Sequence, residues 1–169
     1  MNGTELRAGS STARGELTIT HRGSGLLMAS FEHLCIAVWD VKPTRPLFEI
    51  QKAHLAAVVA REPGHALFIC VVSTSADPPE QEIRDASAKM VAAHDKNLAG
   101  CCCVIEGSGF RAAITRTVLT GIMLVVRGPV PFHFSESVVV GCKWLETRSS
   151  RDRLHGLAEK IERARTTTR

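Results

Sequence analysis

The chain has 169 residues, a formal net charge of +4 and an aromatic content of 5%. This length suits a single domain with a sizeable hydrophobic core, and the scarcity of aromatic residues near the arginines argues against a base-stacking nucleic-acid surface. Because the sequence shows no signal peptide and no apolar run of the roughly 20 residues that span a bilayer, we expect a cytoplasmic protein with no membrane span and with reduced cysteines.

The first part of the chain divides by composition. Residues 1–15 are rich in Gly, Ser, Thr and Arg, which is typical of a flexible leader. Alternating polarity predicts an edge strand over 16–22, and the apolar run from Leu34 to Val41 predicts a central strand covered on both faces. Whether residues 26–30 form a strand of their own stays open at this point.

Helical spacing begins after residue 44. It predicts a helix over 45–61, then a strand over 66–72. The segment Asp77-Pro78-Pro79-Glu80 is typical of a helix start, with Asp77 as the cap, Pro78 at the first helical position and Glu80 closing a capping box. The apolar stripe of that helix is expected to continue to His94 and Leu98.

The remaining elements alternate in the same way. We expect, in order, a strand over 100–105, a helix over 110–126, a strand over 132–134, a helix from Ser135 or Ser137 through Leu145, and a basic helix starting near 149–152. Strands separated by helices predict an α/β fold with a mixed, mainly parallel sheet and right-handed crossovers. Residues 16–147 are expected to form this domain, and residues 148–169 a basic C-terminal helix and tail.

Three late segments resemble one known family. They are Val118 to Ile122, Phe132-His133-Phe134 and the ending Lys143-Trp144-Leu145. This pattern resembles the STAS domain, named for sulfate transporters and anti-sigma factor antagonists, and the small bacterial STAS-like proteins, over residues 16–145. The resemblance implies a non-catalytic regulatory or protein-interaction module with a protein partner.

The resemblance also implies a modification site. In the anti-sigma antagonists a partner kinase phosphorylates a serine that follows a core strand, in an Asp-Ser-Ser-Gly-like motif. The comparable place in this chain holds Ser73, Thr74 and Ser75, without that motif. These three hydroxyls are therefore the candidate phosphoacceptors.

A second function follows from a related likeness. Bacterial STAS-like proteins are similar in outline to the CRAL-TRIO lipid-transfer domains, which enclose an apolar ligand. The alternative function is therefore small-molecule or lipid binding in a pocket between helix 110–126 and the sheet.

The apolar C-terminal half of helix 110–126 is also the candidate interface for a partner or a second copy, through Leu119, Ile122, Met123 and Val126.

The three adjacent cysteines, Cys101 to Cys103, raise the question of chemistry. On a strand, alternate side chains point to opposite faces, so only Cys101 and Cys103 share one. The run lacks the two-residue gap of a metal-binding pair, so we expect core thiols and neither a metal nor a cofactor. A cysteine-dependent enzyme is the third alternative.

The turn Gly107-Ser108-Gly109 is the last candidate site. At the mouth of a helix, Ser108 and Gly109 with Arg111 can bind an anion through unpaired N–H groups. Gly107, Gly109 and Ala112 fit a relaxed dinucleotide fingerprint, but no acidic residue follows about 20 positions later to hold a ribose. A tight turn with Ser108 as the helix cap is the simpler interpretation.

Overall fold

The fold is built on one sheet. A computed structural model describes residues 15–109, 113, 117, 128–150 and 154–167. Within these residues the sheet has six strands in sequential order, of which the first three pair antiparallel and the third to sixth pair parallel. The strands are β1 (Thr18–Gly23), β2 (Leu26–Phe31), β3 (Leu34–Trp39), β4 (Ala66–Val72), β5 (Leu98–Ile105) and β6 (Phe132–Ser135). The predicted α/β class with a mixed, mainly parallel sheet is confirmed.

Helices cover both faces of this sheet. Helix α1 (Arg45–Arg61) and helix α2 (Gln81–Ala92) pack on one face, and helix α3 (Val138–Arg148) and helix α4 (Leu157–Thr166) pack on the other. Every residue of β2 and β3 is buried, as expected for strands between two helical layers. None of the described helices has the length and apolar character needed to cross a membrane.

Several local predictions agree with the structure. The bounds of α1 and β4 match the predicted ranges, and residues 26–31 form the separate strand that the sequence left open. Ser137 caps α3, because its hydroxyl oxygen accepts a hydrogen bond from the Val140 N–H at 3.3 Å. Of the helix predicted over 110–126, the structure describes Ala113 and Thr117, both helical, and the remaining residues lie outside the described ranges.

The predicted start of α2 is wrong. The helix begins at Gln81, with Glu80 as an extended N-cap residue that makes no side-chain capping bond. The cause is the second proline: the ring of Pro79 disfavours helical geometry at Pro78, so neither Pro78 nor Asp77 can open the helix. The far end also differs, since α2 ends at Ala92 and Leu98 belongs to β5.

The predicted start of the last helix is also wrong. Ser149 instead closes α3, its backbone N–H donating to the carbonyl of Leu145. Helix α4 begins at Leu157 after Gly156, whose left-handed φ of 69° suits glycine. Leu154, just before the start of this helix, and Leu157, Ile161 and Ala164, along its inner side, are all buried. Of the expected leader, residues 1–14 lie outside the described ranges.

One histidine ties α1 to the antiparallel end of the sheet. His54 Nε2 lies 3.0 Å from the carbonyl oxygen of Ala29, and its Nδ1 lies 3.0 Å from Thr20 Oγ1. A carbonyl only accepts, so Nε2 carries a proton. Burial lowers the pKa of His54 below its usual value; the bond to Ala29 opposes this shift, and the nearby charge of Arg61 adds to it.

We therefore expect the free energy of unfolding to fall as the pH drops below about 6.5. The unfolded chain takes up a proton at His54 before the folded chain does, so acid favours unfolding. Urea denaturation of the wild type and His54→Gln at pH 7.5 and 5.5 measures the effect, and the variant should lose less stability between the two pH values. His155→Gln, at an exposed position, should retain the full wild-type loss. An identical loss in all three proteins would exclude His54 as a source.

Candidate functional site

An apolar pocket lies between the sheet and helices α1 and α2. Its volume is about 100 Å³. The floor consists of side chains from β4, β5 and β6, namely Phe68, Cys70, Val72, Cys101, Cys103, Phe132 and Phe134. The helical wall includes Phe48 from α1 and Ile83, Met90 and Val91 from α2. The described lining is therefore almost entirely hydrocarbon, aromatic ring and thiol.

The strand register explains why there is space at this place. Ala37 pairs with Cys70, Cys70 pairs with Cys103, and Cys103 pairs with Phe134 across four parallel strands. Paired residues point to the same face of a sheet, so three small side chains stand in one row under the helices. Of this row, Cys70 and Cys103 line the pocket together with Phe134.

The pocket extends to the carboxyl ends of β3 and β4. Trp39 and Val72, at the ends of β3 and β4, line it. So do Pro43 and Pro79, in the loops that lead from these strands into α1 and α2. Ligands of open α/β sheets commonly bind outside the carboxyl ends of the strands.

A buried glutamine supplies a polar group in the pocket wall. Gln51 of α1 is 4% exposed, and its Oε1 accepts a hydrogen bond of 2.7 Å from the indole N–H of Trp39. Its amide nitrogen Nε2 donates to Met90 Sδ at 3.9 Å. Sequence reasoning missed Gln51, although its spacing from the buried residues Leu55 and Val58 places it on the inward side of α1.

The cysteines of β5 are protonated at neutral pH. Burial raises the pKa of Cys101, and a hydrogen bond with Cys70 together with burial raises that of Cys103. Cys102 faces the opposite layer beside Cys142, and burial raises the pKa of each to about 12. The predicted division of the run between two faces is confirmed. Since the thiolate is the reactive form, these thiols act as packing groups.

Charged side chains line a neighbouring groove between α1 and α2. Its volume is about 500 Å³. Arg45 bridges the two helices, with Nη1 3.0 Å from Glu82 Oε1 and Nε 3.1 Å from Glu49 Oε1. Phe48 and Met90 line both this groove and the apolar pocket, so they form the partition between them.

The predicted phosphoacceptors lie at the same edge of the sheet as the pocket. Ser73 is buried, whereas Thr74 and Ser75 are exposed. The Ser75 hydroxyl donates to the backbone oxygen of Asp40 at 2.8 Å and lies 2.9 Å from Ser73 Oγ. Ala76, directly after this loop, packs with Val72 and Cys103 of the pocket floor.

The glycine turn after β5 lies against this hydroxyl loop. A Cβ at Gly107, whose φ is 95°, would lie 2.8 Å from Thr74 Cγ2. The structure thus brings two separately predicted sites together, with Ser108 and Gly109 exposed. Arg111 of the predicted anion site lies outside the described residues, as do the predicted interface residues Leu119, Ile122, Met123 and Val126.

An ion pair joins α4, on the opposite face of the sheet, to the carboxyl end of β5. Arg165 of α4 donates from both terminal nitrogens to Glu106, at 2.7 and 2.8 Å. This two-point bond raises the pKa of Arg165 above its usual value. The carboxylate of Glu106, neutralised by Arg165, therefore lies directly before the Gly107 turn. The sequence could not reveal it, because the partners are 59 positions apart.

No family model, curated protein or solved structure matches this chain significantly. The resemblance to the STAS domain therefore stays a prediction from the sequence. Among the described residues, no group of three or more His, Cys, Asp and Glu side chains could hold a metal ion.

We expect the cysteines of β5 to resist alkylation in the folded protein. Cys101, Cys102 and Cys103 are buried and protonated, whereas Cys70 is partly exposed and should be modified first. Iodoacetamide labelling followed by peptide mass spectrometry measures the order of modification. Labelling in guanidinium is the control and should modify all six cysteines. Rapid native labelling of Cys101 or Cys103 would contradict their role as packing groups.

Proposed function

We propose that this protein is a non-catalytic binding protein that takes a small apolar molecule into the pocket between the sheet and helices α1 and α2. The observation that carries this proposal is the apolar lining of a pocket at the carboxyl ends of β3 and β4. Apolar walls with a few placed polar groups are typical of small-molecule sites. The proposal keeps the small-molecule binding expected from the CRAL-TRIO likeness but concerns a different pocket. The pocket expected beside helix 110–126 lies outside the described residues, apart from Ala113 and Thr117.

The size of the pocket limits the ligand. An engineered apolar cavity of about 150 Å³ binds benzene, and the present pocket has about 100 Å³. One ring or a short aliphatic chain is therefore the appropriate size, once flexible side chains such as Met90 adjust. A lipid with two long acyl chains is too large for this volume.

The affinity should be modest. Burying about 150 Å² of apolar ligand surface is worth roughly 4 kcal/mol at 25 cal/mol per Å², which corresponds to a dissociation constant of about 1 mM. Loss of ligand freedom opposes binding, and contacts with the aromatic floor favour it. Binding should therefore be measured by a method suited to weak complexes.

We expect Ala88→Leu to weaken binding of toluene at least about tenfold, because the larger side chain enters the pocket that Ala88 lines. Leucine suits the interior of a helix such as α2. An NMR titration that follows the Trp39 indole resonance measures the affinity. Ala57→Leu is the matched control, since it makes the same change at an exposed position of α1 and should bind toluene as the wild type does.

Two outcomes would contradict the proposal. One is the absence of any toluene-dependent shift at Trp39 in the wild type. The other is equal affinity in Ala88→Leu and Ala57→Leu, with thermal unfolding showing that both remain folded. Either result would show that apolar ligands bind at another site or do not bind to the protein.

A second candidate function is the regulatory module implied by the STAS resemblance. The observation that favours it is the exposure of Thr74 and Ser75 on the loop after β4. Ser73 is a poor acceptor, because it is buried and lies 2.9 Å from Ser75 Oγ. Thr74 is the better acceptor of the two exposed residues, since the Ser75 hydroxyl is engaged with Asp40.

We therefore expect any phosphate in the loop at Thr74, with Ser75 next and Ser73 unmodified. A phosphate on Ser73 would need to be accommodated in a buried position at a high desolvation cost. Mass spectrometric mapping of the protein purified from its native host tests this order. A loop that is unmodified under all growth conditions, or modified at Ser73, would contradict this candidate function.

A further inference from the structure

We propose that Gln51 is the recognition group of the pocket and that the ligand carries one neutral oxygen acceptor, such as a ketone or ester carbonyl, on an otherwise apolar body. The inference rests on the proposed binding function and adds the chemical class of the ligand. The observation behind it is that the NH₂ group of the buried Gln51 amide has a weak hydrogen-bond acceptor as its partner.

The orientation of the Gln51 amide follows from its partner. An indole N–H can only donate, so the group 2.7 Å from Trp39 Nε1 is the amide oxygen. The NH₂ group therefore points away from Trp39. Trp39 itself is 2% exposed, so this contact is held inside the protein.

The NH₂ group has two hydrogens to donate. Among the described residues its partner is Met90 Sδ, at 3.9 Å. A thioether is a weak acceptor, and a buried amide donor without a good partner is costly. Because Gln51 and Met90 both line the pocket, an oxygen in the pocket can take the place of the sulfur.

The same lining argues for a neutral ligand. The described lining contains no Lys, Arg or His that could pair with a carboxylate, and an unpaired charge is strongly disfavoured in an apolar site. The Gln51 oxygen is already occupied by the indole, so the amide offers the ligand a donor. A carbonyl oxygen satisfies this donor without bringing a charge into the pocket.

Two ligands of nearly equal shape test the inference. Cyclohexanone and methylenecyclohexane differ in having an oxygen or a CH₂ group on the same ring. In the wild type, NMR titration should shift the Gln51 side-chain NH₂ resonances strongly with the ketone and weakly with the alkene. Cyclohexanone should also bind at least as tightly as the alkene, although water solvates the ketone better.

The matching variant is Gln51→Met, which keeps a side chain of similar shape and removes the amide. It should lower the ratio of ketone affinity to alkene affinity about tenfold, the value of one hydrogen bond of ordinary strength. Gln81→Met is the control, because it makes the same change at an exposed position of α2 and should leave the ratio unchanged.

The outcomes separate the two proposals. If neither compound binds the wild type, the pocket function itself is wrong. If both bind, but Gln51→Met leaves their ratio unchanged, recognition by Gln51 is wrong and the pocket function stands. Should Gln51→Met fail to fold, the wild-type NH₂ resonances decide, and equal shifts with both compounds would overturn the inference.

Discussion

The parallel register of β3, β4 and β5 is the constraint on which the candidate site depends. It aligns Ala37, Cys70 and Cys103 in one row on the face covered by α1 and α2. A slip of β5 by one residue would turn Cys102 into the pocket and Cys103 toward α3, because strand side chains alternate between faces. The shape of the pocket is therefore a property of strand pairing as much as of residue type.

The helices pack differently on the two faces of the sheet. On the α3 side the packing is tight, since a Cβ at Gly141 would lie 2.9 Å from Val104 Cγ2 and 3.0 Å from Cys102 Sγ. Glycine at this position lets the helix approach the strands closely. On the α1 and α2 side, Phe48 and Met90 close the outer edge while the row of small side chains leaves space beneath them. Among the described residues, the apolar pocket thus lies in the layer of α1 and α2.

Two polar pairs of low exposure lie near that layer. Inside the pocket, Trp39 and Gln51 form a buried pair that orients one amide group. At the carboxyl edge, the pair of Arg165 and Glu106 joins α4 to the end of β5 beside the hydroxyl loop. Ala76 connects this loop to the pocket floor through its contacts with Val72 and Cys103. A ligand in the pocket and a modification of Thr74 would therefore act on neighbouring parts of the structure.

The sequence by itself determined the features that depend on short-range periodicity. Alternation and helical spacing located β4 and α1, and they placed Cys102 on the face opposite Cys101 and Cys103. These patterns failed at helix ends, where neighbouring residues favour competing conformations. Pro79 displaced the start of α2, and Ser149, expected in the next helix start, instead ended α3.

Only the tertiary structure decided the candidate site. Trp39 and Gln51 lie on different elements, and Glu106 meets Arg165 across 59 positions of chain. The adjacency of Thr74 and Gly107 likewise comes from the side-by-side pairing of β4 and β5. Periodicity along the chain shows which face a side chain occupies. The distance between side chains on separate elements depends on strand register and on how closely the helices pack. The periodicity of the sequence gives no information about either.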